Sequence, residues 1–203
     1  MQLKRLFPKV SSYSRFITLM GRVGTRMAFF LRLCLMGECT GSPFVDSTCI
    51  PVCHNRRLGR NMVFSGFATR GGRAPMGWFF GFKLHLLCNE RGEILNFVLT
   101  KGNVDDRNEM VFKVFCENLF GKLYADRGYI SRSLFEMLWS EDVHIVTGLR
   151  ASMRNRLMST WDKIKLRKRL IIETINDQLK MCAKLCTQGT GAWTTSSSTC
   201  WRH

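Results

Sequence analysis

A tight turn between two apolar runs is the feature that most constrains how this chain can fold. The turn, Asn89-Glu-Arg-Gly92, is built from residues that favour chain reversal. The runs on either side, 77–88 and 93–100, are rich in aromatic and aliphatic residues, as is typical of strands. The pattern predicts an antiparallel β-hairpin, so the chain must build a sheet around it.

The segments around the hairpin alternate between strand and helix patterns. Residues 42–52 predict a first strand, and an Arg- and Gly-rich loop follows it through Pro75. Beyond the hairpin the sequence predicts helices over 107–119, over 132–140 with Ser131 as cap, and over 153–184, separated by short strands at 123–126 and 144–149. This order indicates an α/β fold in which helices flank a mixed sheet.

The two ends of the chain differ from the middle. Residues 1–41 are basic and have helical character, although Gly21 and Gly24 interrupt the pattern. Residues 185–203 are rich in Ser, Thr and Gly without apolar periodicity, and we expect them to be disordered. The sequence therefore predicts three parts: a helical segment at 1–41, an α/β domain at 42–184 and a tail at 185–203.

The charge balance indicates a polyanionic partner. Lys and Arg number 31 against 15 Asp and Glu, which gives a net charge of +16 and a pI near 10.0, so the partner is a nucleic acid or an anionic membrane surface. The most apolar run, 27–36, is too short to span a bilayer and contains Arg32. We therefore expect no membrane association. Because the first residues lack a signal-peptide pattern, a cytoplasmic location is expected.

The nine cysteines are an odd number, which favours reduced thiols over a disulfide framework. Four of them and one histidine lie close together in the sequence, at Cys34, Cys39, Cys49, Cys53 and His54. A zinc site there is an open alternative. The absence of a C-x-x-C spacing makes buried free thiols the favoured interpretation.

Three carboxylates stand out among the many basic residues. Asp46 lies within the first predicted strand, Asp126 ends the strand-like run Leu123-Tyr-Ala-Asp, and Glu173 lies on the last predicted helix. Arg169 and Lys180 project within about 40° of Glu173 on that helix. Each acid alone has an ordinary explanation, as a turn residue or in a surface ion pair. Together they suit a divalent-metal site beside a phosphate backbone.

Several stretches of the chain resemble the DDE-type transposases of bacterial insertion sequences. The resemblance covers roughly residues 5–183. The segments that carry it are Phe44-Val-Asp-Ser-Thr48, Val52-Cys-His-Asn55, Gly77 to His85, Leu99 to Arg107, Leu119 to Ser131 and Leu157 to Lys180. In the last segment the spacing Arg-x₃-Glu-x₆-Lys is in register with the family's Tyr-x₂-Arg-x₃-Glu-x₆-Lys pattern, while Leu166 stands at the Tyr position.

The resemblance implies a fold, an activity and a set of site residues. The expected fold is an RNase H-like mixed sheet, and the expected activity is DNA cleavage followed by strand transfer. Asp46, Asp126 and Glu173 are the implied catalytic triad that holds two Mg²⁺ or Mn²⁺ ions. Contacts to DNA are expected from residues of the basic clusters: Arg169, Lys180, Arg56, Arg57, Arg60, Lys165 and Lys168.

The resemblance also bears on partners and completeness. It implies transposon-end and target DNA as partners, a homo-oligomer, and a nucleoid-associated place in a bacterial cytoplasm. Residues 1–41 are then the remnant of an N-terminal DNA-binding region, and the chain is truncated at both ends. Two alternatives stay open: an inactive remnant that only binds DNA, and a stand-alone RNase H-like nuclease.

Overall fold

The computed structural model describes residues 12–60, 64, 66–71, 77–149 and 158–187, without the side chains of 13, 17, 57, 60 and 182–187. The chain divides into two compact units, Met1–Gly37 and Glu38–His203. The described part of the first unit contains helix α1 (Tyr13–Cys34). The Ser12 hydroxyl caps this helix by accepting a hydrogen bond from the Arg15 N–H. Helix α1 continues through Gly21 and Gly24, where an interruption was predicted.

The second unit is built on a six-stranded mixed sheet. The strands are β1 (Phe44–Cys53), β2 (Thr69–Arg70), β3 (Phe80–Cys88), β4 (Ile94–Lys101), β5 (Gly121–Ala125) and β6 (Val143–Thr147). Their spatial order is β2-β3-β1-β5-β6, with β4 also paired to β3. Strand β3 runs antiparallel to β1, β2 and β4, whereas β1, β5 and β6 are parallel.

Four described helices accompany this sheet, and the first two form the connections that lead into β5 and β6. They are α2 (Glu109–Cys116), α3 (Arg132–Ser140), α4 (Thr160–Lys168) and α5 (Leu170–Thr187), and two 3₁₀ segments lie at Asn55–Arg60 and Arg127–Tyr129. The predicted α/β class with a mixed sheet flanked by helices is confirmed, and the arrangement is consistent with an RNase H-like fold. No described helix is long and apolar enough to cross a membrane.

The predicted hairpin is formed by β3 and β4. Their antiparallel register runs from Phe82 opposite Lys101 to Cys88 opposite Ile94. At the turn, the side-chain oxygen of buried Asn89 accepts hydrogen bonds from the backbone N–H groups of residues 91 and 93, each at 3.0 Å. Residue 92 has a φ of +83°, a conformation that glycine adopts without strain. The turn residues therefore determine the register of the central strands.

The sheet buries a hydrophobic core on each face. One core packs α2 and α3 against the sheet through side chains such as Leu87, Phe112 and Leu134. The other joins Phe44, Leu86, Tyr124 and Ile172, so that it holds α5 against β1 and β3. Fully burying one such side chain contributes roughly 1.5–3 kcal/mol. The strand alternation thus assigns neighbouring residues of β1 to opposite cores.

The long helix predicted over 153–184 is two helices. Helix α4 begins after Ser159, whose hydroxyl accepts a hydrogen bond from the Trp161 N–H at 3.3 Å. A turn at Arg169 separates α4 from α5, and the Arg169 carbonyl accepts from the Ile172 N–H at 3.1 Å to start the second helix. Residues 150–157, in which the prediction placed the helix start, lie outside the described residues.

Two smaller expectations are also corrected. The Ser131 side chain forms no capping hydrogen bond at the start of α3. Helix α5 extends to Thr187, so 185–187 are helical rather than part of a disordered tail. The remainder of the predicted tail, 188–203, lies outside the described residues.

Candidate functional site

Strand β1 carries Asp46 in the middle of the sheet. Asp46 lies opposite Leu86 of β3 and shares a strand face with Phe44, which belongs to the core beneath α5. On this face, Asp46 Oδ2 accepts a hydrogen bond from Asn176 Nδ2 of α5 at 2.9 Å. The first candidate acid is therefore half-buried and directed at α5.

Asp126 follows immediately after β5, the parallel neighbour of β1. The parallel register places Tyr124 beside Phe44, and Asp126 comes two residues after Tyr124 just as Asp46 comes two residues after Phe44. The two acids thus occupy equivalent positions on neighbouring strands. The Asp126 side chain is 55% exposed, because the strand has ended at a place where open sheets build sites.

Glu173 lies in the first turn of α5. The buried side of this helix follows helical spacing, and it presents Ile172, Ile175, Asn176 and Leu179 to the sheet. Glu173 lies next to this buried stripe, and its side chain is 42% exposed. The packing of the apolar stripe therefore places the third acid at the rim of the sheet.

The Arg169 side chain connects the acids. Its guanidinium donates a hydrogen bond to Glu173 Oε1 at 2.7 Å and lies 3.7 Å from Asp126 Oδ1. The Arg169 side chain is only 17% exposed, and its charge also lowers the pKa of Asp46. Two acids from separate elements thus pair with one guanidinium, and its charge also acts on the third.

The pKa of the Asp46 carboxyl is raised. Burial is the main cause, because it disfavours the charged form. Hydrogen bonds from Asn176 and from the Ser47 backbone lower the pKa, as does the charge of Arg169, whereas the charge of Glu173 raises it. The ionised form of Asp46 is therefore less favourable than that of an exposed carboxyl group.

The donor chemistry of the three acids suits a hard divalent cation. All three offer carboxylate oxygens, which Mg²⁺ and Mn²⁺ prefer, and two of them already pair with a cationic side chain, Arg169. As they stand, no three His, Cys, Asp or Glu side chains within the described part of the chain are close enough together to hold a metal. The three carboxylates therefore fit a divalent metal in donor type and in charge, provided that the Arg169 guanidinium moves away from them.

The residues predicted to contact DNA occupy different settings. Arg56 and Lys168 are exposed. Lys180, two helical turns beyond Glu173, is 41% exposed and lies 3.1 Å from Asp177. The side chains of Arg57 and Arg60 lie outside the described residues.

The expectation that Lys165 contacts DNA needs correction. Lys165 is 5% exposed, its ammonium pairs with the carboxylate of Glu90 in the hairpin turn, and it also lies over the ring of Trp161. Because the ammonium already has a partner and little access to solvent, Lys165 anchors α4 to the hairpin. It is not placed to contact a phosphate.

Asn176 is a site residue that the sequence analysis missed. It is 2% exposed and makes the hydrogen bond that orients Asp46. The sequence did contain an indication of this role. The residues of the buried side of α5 recur at helical spacing, and Asn176 is the polar residue among them. A buried asparagine in such a stripe needs a partner, and the partner here is the candidate acid.

Three further side chains are of types that can act in catalysis or stack on a base. His85 is 1% exposed and shares a hydrogen bond with the Thr100 hydroxyl at 3.0 Å, and burial lowers its pKa to about 4. Tyr129 is buried in the core beside α2. Trp78, in contrast, is 57% exposed. The first two are sheet and core residues, whereas Trp78 is available to a partner.

Comparisons with known proteins bear on the family of this chain. A family model described as a transposase DDE domain matches residues 36–188. No curated protein matches the chain. A solved piggyBac transposase, in a synaptic complex with hairpin DNA, aligns at 17% identity with a TM-score of 0.42 over 71% of this chain, which spans 31% of that protein's length. Because the family model covers well over half of the sequence, the chain belongs to the transposase DDE domain family.

Proposed function

We propose that this chain is the catalytic domain of a DNA transposase from a bacterial insertion sequence, and that Asp46, Asp126 and Glu173 are its catalytic acids. The proposed reaction is metal-dependent cleavage at an element end followed by strand transfer into target DNA. The proposed partners are transposon-end DNA, target DNA and further copies of the chain. One observation carries the proposal: acids from the end of β5 and from α5 pair with a single arginine, whose charge also acts on the acid of β1.

Each acid has a distinct support that suits this role. Asp46 is held by Asn176 on a central strand, so its position changes little when a substrate binds. Asp126 and Glu173 are more exposed and can adjust at the rim. Together the three would hold two Mg²⁺ or Mn²⁺ ions, which supply activation of the attacking oxygen and charge neutralisation at the leaving oxygen.

Arg169 has two successive roles in this proposal. Without substrate it neutralises Glu173 and Asp126, which would otherwise repel each other and Asp46. Were the acids to hold a cation instead, the guanidinium would be free to donate to a DNA phosphate. Exposed Arg56 and Lys168, together with Lys180, add contacts to the phosphate backbone.

The proposal is tested by cleavage of a labelled duplex that carries the terminal sequence of the encoding element. We expect cleavage that requires Mg²⁺ or Mn²⁺ and that is lost in Asp126→Asn. Glu136→Gln is the matched control, because Glu136 is an exposed acid of α3 that pairs with Arg132 and lies on an element that carries none of the three acids. Its activity should equal that of the wild type.

The same assay separates the alternatives. Salt-sensitive binding of the duplex without cleavage by any variant would favour a remnant that only binds DNA. Metal-dependent digestion of arbitrary DNA or of RNA–DNA hybrids would favour a stand-alone nuclease. Cleavage that survives Asp126→Asn would refute the assignment of the acids.

A further inference from the structure

Trp78 has an environment unlike that of the other described tryptophans. Trp139 stacks on Phe135 with ring centroids 5.8 Å apart, and Lys165 lies over the ring of Trp161. The indole of Trp78 has neither an aromatic nor a cationic partner within the described part of the chain. It is nevertheless 57% exposed. A large aromatic face is thus left uncovered.

The backbone holds Trp78 in a defined position. The neighbouring Phe79 is 9% exposed, and its ring packs on two glycines: a Cβ at Gly71 would lie 2.1 Å from this ring and one at Gly102 would lie 3.0 Å from it. The Gly71 N–H donates to the Phe79 carbonyl at 2.8 Å. On the other side, the amide of Asn55 donates to the Trp78 carbonyl. Phe79 is therefore anchored inward while Trp78 faces outward.

An open depression lies beside the indole. Its volume is about 210 Å³, and Asn55, Arg70 and Trp78 line it. This volume is below the roughly 300–1,000 Å³ of typical sites for drug-sized ligands, so a single planar ring system is a better match. Indole, guanidinium and amide groups are the ones that proteins use for bases and their phosphates.

The charges around the depression favour an anionic chain. Arg70 and Arg56 are exposed, and neither forms an ion pair within the described part of the chain. No acidic residue occurs between Asp46 and Glu90 in the sequence. The depression therefore has an aromatic surface for a base and unpaired cations for the adjoining phosphates.

We propose that Trp78, Arg70 and Asn55 form a subsite for one unpaired DNA base, separate from the three acids. The indole stacks on the base, and Arg70 contacts an adjoining phosphate. Asn55 lies just beyond the end of β1, nine residues after Asp46. Nine residues of extended chain span roughly 30 Å. The subsite would thus lie well apart from the proposed catalytic acids. This inference rests on the proposed function, because it assumes a DNA substrate.

The experiment measures binding of a short oligothymidylate that contains one 2-aminopurine, in EDTA so that cleavage plays no part. We expect the wild type to quench the 2-aminopurine fluorescence by stacking. In Trp78→Ala we expect lost quenching and an affinity lower by roughly ten-fold or more, while Trp78→Phe retains part of both. Arg70→Ala should lower the affinity and reduce the slope of log affinity against log salt by about 0.7.

The matched control is Trp139→Ala, because Trp139 is also 57% exposed but belongs to α3. Its affinity and quenching should equal those of the wild type. Equal quenching and affinity in Trp78→Ala and Trp139→Ala would overturn the subsite while leaving DNA binding intact. Failure of the wild type to bind either single-stranded or duplex DNA would instead refute the proposed function. If Trp78→Ala does not fold, Arg70→Ala and Trp78→Phe decide the question by the same readouts.

Discussion

Asp162 is predicted to hold α4, and through it the Glu173-bearing helix α5, against strand β5. Asp162 is 8% exposed, and its carboxylate accepts hydrogen bonds from the Lys122 ammonium at 3.0 Å and from the Tyr124 hydroxyl at 2.9 Å. Both partners lie on β5, whereas Asp162 lies on α4. Since α4 leads directly into α5, this contact joins the strand before Asp126 to the helix that bears Glu173.

The cost of Asp162→Ala follows from these contacts. The Tyr124 hydroxyl would lose its partner in a residue that is 1% exposed, at about 1–3 kcal/mol. The Lys122 side chain is 48% exposed, so its ammonium regains water and adds only about 1 kcal/mol. We therefore expect a loss of about 3 kcal/mol in the free energy of unfolding. For a chain of this length that corresponds to a fall in Tm of roughly 6–12 °C.

The assay is urea and thermal unfolding of Asp162→Ala, Tyr124→Phe and their combination. Tyr124→Phe should cost about 1 kcal/mol, and the double variant should cost less than the sum, because both changes remove the same bond. Asp177→Ala is the control, since its side chain is 74% exposed and also pairs with a lysine; it should cost no more than about 0.5 kcal/mol. An Asp162→Ala protein within 1 kcal/mol of the wild type would refute this reasoning.

Three further predictions concern charge. Asp46→Asn should be at least as stable as the wild type in EDTA at pH 7. Burial raises the pKa of Asp46, so the stability that this group contributes to the wild type falls as pH rises above 3.8. In a thermal melt, Mn²⁺ at a hundred times its Kd should stabilise only the wild type, by about 2.7 kcal/mol. Because His85 has a pKa of about 4, the free energy of unfolding of the wild type should fall by roughly 2–4 kcal/mol as pH falls from 6.5 towards 4. Calorimetry of His85→Gln should show a weaker dependence of stability on pH over this range. Lys165→Met should lower Tm and leave the salt dependence of DNA binding unchanged, whereas titration of Lys168→Ala should reduce its slope by about 0.9 without a change in Tm.

The elements that could be predicted from the sequence depend on neighbours in the chain. The hairpin follows from Asn89 and Gly92, since an asparagine side chain bonds to the next residues and a glycine accepts a positive φ. The alternation of side chains in β1 puts Asp46 on the face of Phe44, two residues before it. These patterns were readable because strand and turn conformations are set by contacts over a few residues.

The three acids required more than local pattern. Asp46 was recognisable as a polar residue in an apolar strand, and Asp126 as the residue after one. Their equivalent positions on neighbouring strands, however, follow from the pairing of β1 with β5. Family resemblance joined them to Glu173, while the shared contact with Arg169 came from the packing of α5.

The sequence by itself determined the hairpin, the alternation of helices and strands after it, and the position of Asp46 within the first strand. Only the tertiary structure decided that Lys165 pairs with Glu90 rather than with DNA, that Asn176 holds Asp46, and that Trp78 stays exposed. The physical reason is the separation along the chain of the residues that interact. Backbone conformation responds to the nearest few residues, whereas the pairing of a charge or the covering of a ring depends on groups that folding brings together from distant parts of the chain.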